Sequence, residues 1–218
     1  GSKHIGEKLS TEGEPTSISV VVGESRGDER TVVFPLLHGP LGEDGTIQGL
    51  LELANIAFVG TGVLGSAVSM DKGVAKQVLH ANGIPQPQYI SLRETHVNDA
   101  SLKHAIDTLG LPLFVKPANM GSSVGVSKAK NAAELKAAAA QALEYDEWIL
   151  IEEAIKGREI EVAVLGNIDA RASTPGEIVP GNEFYDYEDK YVTDGAQLVI
   201  PADLSADEIE AVQKLAIV

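Results

Sequence analysis

The chain contains no cysteine. That excludes disulfides, a thiol nucleophile and cysteine-ligated metal, and it fits a cytosolic protein. Basic residues are scarce: 17 Lys and Arg stand against 32 Asp and Glu, a net charge of −15. Nucleic-acid backbones and anionic membranes demand a basic face, so a general surface for either is disfavoured. A bound polyphosphate would need positive charge gathered locally from a few lysines. No apolar run approaches the roughly 20 residues that cross a bilayer as a helix. No internal repeat or low-complexity tract stands out. Nothing at the start reads as a signal peptide; Gly1-Ser2 looks like a tag-cleavage scar, and residues 1–17 read as a polar tail or loop.

What is present is ordinary globular material. The 218 residues are 44% hydrophobic and 22% charged, enough for one to two domains. Helix and strand signals alternate, which predicts a mixed α+β or α/β fold. Strands are expected at residues 18–22, 31–37 (fully apolar, hence buried), 56–59, 89–92, 111–115, 124–128, 148–151, 160–165, 169–174 and 197–200. Helices are expected at 46–54, at 66–82 as one element ended by Gly83, at 100–109 and at 131–145, the last with Asn131 as N-cap and Glu134 at the capping-box position. Residues 176–194 read as one long irregular segment, crowded with Tyr, Glu and Asp. A final helix, 205–218, opens at Ser205 and has no C-cap; its apolar repeat is still running at the last residue, so the chain is expected to be a piece of a longer one.

The stretch around which the rest is organised is VKPANMGSSVGVSK, residues 115–128. Lys116 precedes Gly121-Ser122-Ser123-Val124-Gly125. Glycines let backbone N–H groups approach an anion, and lysine adds a point charge suited to phosphate. The same residues also suit a plain tight turn, and the spacing is not that of a Walker loop. Lys72 and Lys190 are further cations from distant segments. Glu152 and Glu153 follow an apolar strand and run into a linker whose free backbone groups could read the edge of adenine, with Glu159 available to ribose hydroxyls. For Glu153 alone, a solvated interdomain hinge is the better account. His38 lies in a Gly-bracketed loop with Glu43 and Asp44, either as a functional group or as a structural one. Tyr185 and Tyr191 belong to a tyrosine-rich loop that is either functional or surface packing.

Five motifs in order, HGPLGEDGTIQG (38–49), MDK (70–72), VKPANMGSSVGVSK (115–128), ILIEEAIKGREIEV (149–162) and FYDYEDKY (184–191), resemble the D-alanine–D-alanine ligases over about residues 31–218. The resemblance implies an ATP-grasp fold. Its parts would be an N-terminal α/β substrate portion (1–60), a central lid domain (61–155) and the start of a C-terminal domain (156–218). It implies that Lys72, Lys116 and Lys190 contact ATP phosphates, with Ser122 and Ser123 in a lid loop over them. It makes Glu152, Glu153 and Ile155 the adenine linker and Glu159 the ribose carboxylate. Ser122 and Tyr191 would form the hydrogen-bonded catalytic set, and His38, Glu43 and Tyr185 would lie near the D-alanine pocket. The implied reaction is ATP-dependent joining of two D-alanines through an acyl phosphate, for peptidoglycan precursor synthesis in the cytoplasm, with Mg2+ or Mn2+. A homodimer is what the family implies; D-alanine and ATP are the implied partners. Another carboxylate–amine ligase and a non-catalytic nucleotide-binding fragment are the rival readings. Two departures matter. The family's glutamate-bearing Gly-rich start is not recognisable in residues 1–30, and its magnesium ligands are expected beyond Val218. Residues 1–218 alone are therefore expected not to turn over.

Overall fold

The computed structural model describes residues 32–181 and 195–217. In chain order these form β1 (Val32–Val33), α1 (Thr46–Leu53), β2 (Ala57–Phe58), α2 (Val63–Met70), α3 (Lys72–Ala81), β3 (Tyr89–Arg93), a short 3-10 turn, α4 (Asp99–Leu109), β4 (Leu113–Pro117) and β5 (Ser127–Ala129). Then follow α5 (Ala132–Ala142), β6 (Trp148–Glu153), β7 (Glu159–Glu161), β8 (Val164–Leu165), β9 (Arg171–Ala172), β10 (Gly176–Val179), β11 (Gln197–Val199) and α6 (Ala206–Ile217).

The best-packed unit is an antiparallel sheet in the order β3-β6-β4-β5, with α4 and α5 against one face. Period-two alternation in β4 and β6 decides which face that is. Leu113, Val115, Ile149 and Ile151 point one way and are fully buried against Leu102, Ala105, Leu135, Ala138, Ala139 and Ala142. Small alanines on α5 let its backbone lie close to the sheet. Phe114, Lys116 and Glu152 point to the opposite face, where Phe114 pairs across the strands with Glu152 and with Lys128. That second face supplies the candidate site. Helix starts are set by side-chain caps: Asn98 for α4, where Ser101 completes a capping box, and Asn131 for α5, which accepts from Glu134 N–H at 3.0 Å.

Two smaller sheets flank this unit. β1 and β2 pair in parallel beside α1 and α2. β10 lies between β7 and β11, both antiparallel to it. Arg158 ties the linker before β7 to this sheet: its guanidinium makes a two-pronged contact with Glu177 (2.7 and 2.6 Å) and donates to the Asp203 carbonyl. β8 and β9 form a separate hairpin. Among the described residues no helix is long and apolar enough to cross a membrane.

Several elements differ from the sequence expectation, each for a local reason. Among the described residues of the strand expected at 31–37, only Val32 and Val33 pair, with β2; Phe34, Leu36 and Leu37 are 64%, 57% and 53% exposed, so these residues are not buried. The single helix expected at 66–82 is two. Asp71 adopts an extended ψ of 104° and accepts from Val74 N–H at 2.9 Å, so a new helix begins at Lys72. The strand expected at 124–128 starts only at Ser127, because consecutive turns carry the chain through residues 121–126. The strand expected at 160–165 breaks where Ala163 N–H donates to Ser173 Oγ instead of continuing its ladder. The segment expected to be irregular from 176 to 194 begins with a true strand, β10. The strand expected at 18–22 and residues 182–194 lie outside the described residues.

Candidate functional site

The Gly-Ser loop is rooted before it reaches the site. Asp146 accepts from Asn119 N–H (2.7 Å), Asn119 Nδ2 (3.0 Å) and Trp148 N–H (3.0 Å), which binds the loop's first residues to the turn before β6. Its far end is set by Gly125, at φ +68°. A Cβ there would stand 2.7 Å from the Tyr145 ring and 2.8 Å from Pro117. Only glycine meets both demands, the left-handed backbone and the close approach. Gly125→Ala is therefore expected to cost about 2 kcal/mol or more of stability, read as a lowered denaturant midpoint; an unchanged midpoint would mean the loop is not held as described. Between these anchors Ser122 and Ser123 also have positive φ, 53° and 59°. For residues with a Cβ this conformation costs of order 1 kcal/mol each and is characteristic of binding loops.

Below the loop lies a cavity of about 720 Å³, within the range of small-molecule sites. Six of the residues singled out in the sequence line it: Glu43, Lys72, Lys116, Ser122, Ser123 and Glu159. They come from loop 38–45, α3, β4, the Gly-Ser loop and β7, segments far apart in the chain. Lys72 begins α3, and its ammonium donates to the carbonyls of Ala118 (3.2 Å) and Met120 at the root of the loop. An ammonium has three donors, and among the described residues two of them are engaged, which leaves one for a ligand. Burial lowers the Lys72 pKa from the ordinary lysine value, and the neighbouring Lys116 charge adds to the effect against the pull of Glu152.

Lys116 is held by Glu152. Its Nζ lies 2.6 Å from Glu152 Oε2, and the other oxygen of the same carboxylate is 3.2 Å from Lys76 Nζ. Glu152 is only 4% exposed and Lys76 9%. A buried carboxylate shared by two ammonium groups leaves one positive charge in excess, next to a cavity that already holds Lys72. Phe114 presents an aromatic face in the same wall, with Lys116 and Lys128 at 5.8 and 5.6 Å from its centroid. This concentrates cationic charge locally in a chain that is strongly acidic overall.

Elsewhere in the lining, Glu43 Oε2 accepts from Gly39 N–H at 2.5 Å, and a Cβ on Gly121 would be 3.4 Å from the same oxygen. The HGPLGEDG loop and the Gly-Ser loop therefore touch. Asp44 shapes the first of these loops. It accepts from Leu41 N–H (2.8 Å) and Thr46 N–H (2.9 Å), and those bonds, the Leu41 one foremost, lower its pKa. His38 is exposed, in the loop before Gly39. Glu153 Oε1 accepts from Gln88 N–H (2.8 Å) and Glu153 N–H donates to the Gln88 carbonyl (3.1 Å), so that backbone donor is already engaged. Ile155 is 62% exposed in the linker. Tyr185, Lys190 and Tyr191 lie outside the described residues.

Sequence reasoning does not single out Lys76, Phe114, Asn119 or Asp146. Two of these carry a signal. Lys76 is four residues after Lys72, one turn along the same helix face, and Phe114 is two before Lys116, on the same strand face. Asn119 and Asp146 carry none, since their contact spans 27 residues.

Comparison with known proteins agrees with the geometry. Residues 78–218 match the sequence profile described as D-ala D-ala ligase C-terminus, and residues 4–61 the one described as D-ala D-ala ligase N-terminus. The D-alanine–D-alanine ligase A of Chromobacterium violaceum is 49% identical over 213 residues, covering 92% of this chain and 58% of the relative. The D-alanine–D-alanine ligase of Shouchella clausii is 53% identical over 191 residues, 87% and 52% of the two chains. The chain thus spans about half the length of the curated relatives it matches. Among solved structures, the D-alanine–D-alanine ligase from Coxiella burnetii superposes with a TM-score of 0.74 at 39% identity, covering 85% of this chain and 49% of that one. The VanG D-Ala:D-Ser ligase from Enterococcus faecalis gives 0.77 at 38%, covering 85% and 54%. The fold is accordingly part of an ATP-grasp fold of mixed α+β class. The chain belongs to the D-alanine–D-alanine ligase family.

Proposed function

We propose that this chain carries the ATP site and part of the first amino-acid site of an ADP-forming D-alanine–D-alanine ligase. The observation that carries this reading is the convergence of Glu43, Lys72, Lys116, Ser122, Ser123 and Glu159 on one cavity. In the reaction, the carboxylate of one D-alanine attacks the γ-phosphorus of ATP and ADP leaves. The amine of a second D-alanine then attacks the carbonyl of the acyl phosphate, losing a proton as inorganic phosphate departs. The protein's part is charge neutralisation, positioning and water exclusion. Lys72 and Lys116 supply cationic hydrogen-bond donors to phosphate oxygens, and the strained Ser122-Ser123 turn covers them from above. Glu152, Glu153 and Ile155 take the adenine end, with Glu159 toward the ribose. Glu43, with His38 nearby, faces the ammonium of a D-alanine. Tyr191 completes the catalytic set with Ser122, Lys190 is a further phosphate contact, and Tyr185 belongs to the D-alanine pocket.

Among the described residues no group of three or more His, Cys, Asp or Glu is placed to hold a metal ion. Mg2+ or Mn2+ enters with the nucleotide substrate. The division into a substrate portion (1–60), a lid domain (61–155) and the start of a C-terminal domain (156–218) is part of the same proposal. So are a cytoplasmic location, where ATP is available, and assembly as a homodimer.

Thermal denaturation of the 218-residue chain tests the nucleotide half of the reading. Saturating ATP is expected to raise the midpoint, and adenosine to raise it less; no shift with ATP at millimolar concentration would count against it. A second acceptor is favoured by one observation, the likeness to a D-Ala:D-Ser ligase. Phosphate release by the full-length protein, with D-alanine alone and with D-serine added, distinguishes the two.

A further inference from the structure

Lys76 is a buried lysine outside the cavity lining, and burying an ammonium group has a cost that only a specific partner offsets. Its surroundings are unusual for a structural lysine. The Nζ sits 3.2 Å from Glu152 Oε1 and 5.0 Å above the Tyr89 ring, while Gln86 Nε2 holds the Lys76 carbonyl at 2.8 Å. The other oxygen of Glu152 takes Lys116, which does line the cavity. One carboxylate therefore stands between two ammonium groups, the inner one largely buried and the outer one facing the site.

We infer that Lys76 is a positioning residue for polyphosphate binding, acting through Glu152 on Lys116. By occupying Oε1, it prevents the carboxylate from closing both oxygens around Lys116. The three side chains together carry one net positive charge; without Lys76 they carry none, and Lys116 becomes a neutralised partner of Glu152. The inference rests on the reading of the cavity as a nucleotide-phosphate site.

The test compares dissociation constants for ATP and for adenosine, by calorimetry on the 218-residue chain and its variants. Lys76→Met is expected to weaken ATP binding roughly tenfold and to leave adenosine within about twofold. Lys76→Arg, which keeps the charge, is expected to restore most of the loss. In a Glu152→Gln background, Lys76→Met is expected to cost nothing further, because the connecting carboxylate is gone. Equal losses for ATP and adenosine, an unchanged ATP constant, or full additivity with Glu152→Gln would each overturn the inference. If Lys76→Met does not fold, the comparison is made between Glu152→Leu and Lys76→Met/Glu152→Leu; a further drop in ATP affinity in the double variant overturns it. Failure of the wild-type chain to bind ATP would instead remove the functional reading beneath it.

Discussion

Replacing Glu152 by leucine is expected to destabilise the fold by about 3–5 kcal/mol, the range for removing one partner of a buried ion pair. The carboxylate lies between Lys76 and Lys116 at 3.2 and 2.6 Å, on the face of the central sheet away from α4 and α5. Leucine fills much the same volume, so lost packing is minor. The cost comes from Lys76, whose charge would stay buried over the Tyr89 ring without its carboxylate. Lys116 suffers less because it can turn toward the cavity. Glu152→Gln keeps the shape and one acceptor oxygen, and is expected to lose about half as much. Urea unfolding of the three proteins checks this. If Glu152→Leu unfolds at the wild-type concentration, the buried carboxylate is not what holds the two lysines.

The second large effect falls on ligand binding. Lys72→Met is expected to weaken ATP binding by about 100-fold, the loss of a charge-assisted bond to phosphate together with a loosened loop root. The Lys72 ammonium bridges the carbonyls of Ala118 and Met120, so its removal leaves the start of the Gly-Ser loop without that tie. The lowered pKa of Lys72 adds a signature in pH. Phosphate pairing needs the protonated amine, so ATP affinity falls as pH rises through the lowered pKa, before an ordinary lysine at 10.5 would lose its proton. Folding stability moves the other way. Between the lowered pKa and 10.5 the unfolded chain binds more proton than the native one, so this group's contribution to stability grows with pH there. In Lys72→Arg the alkaline loss of affinity should shift to higher pH, since a guanidinium keeps its proton. A pH profile identical in wild type and Lys72→Arg would separate Lys72 from the phosphate.

How much of the structure is legible in the sequence varies with the length scale of the cause. Local signals carry well. Asn131 and Glu134 mark the start of α5, and the short apolar runs at residues 111–115 and 148–151 mark the two central strands, because caps and short apolar runs are settled within a few residues. The break at Asp71 escapes periodicity although its signal is local: the apolar repeat continues across residues 66–82, and the capping carboxylate outweighs it. In loop 121–126, apolar Val124 and Val126 fit the start of a strand, whereas the left-handed Ser122, Ser123 and Gly125 impose turns. The apolar run 31–37 suggests burial by composition alone, and composition does not say whether a strand finds neighbours. At the site, lysines and carboxylates at motif positions are legible one by one. The partnership of Glu152 with Lys76 as well as Lys116 is not, since cross-strand and helix-to-sheet pairings depend on tertiary register.

The central claim is that the cavity under the Gly-Ser loop holds the phosphates of ATP through Lys72 and Lys116. Calorimetric titration of the 218-residue chain with ATP and Mg2+, beside the Lys72→Met/Lys116→Met double variant, tests it most directly. The wild type is expected to bind saturably and one-to-one, ATP more tightly than AMP, and the double variant to show no measurable binding while it remains folded. Equal affinity of the folded double variant and the wild type for ATP would contradict it.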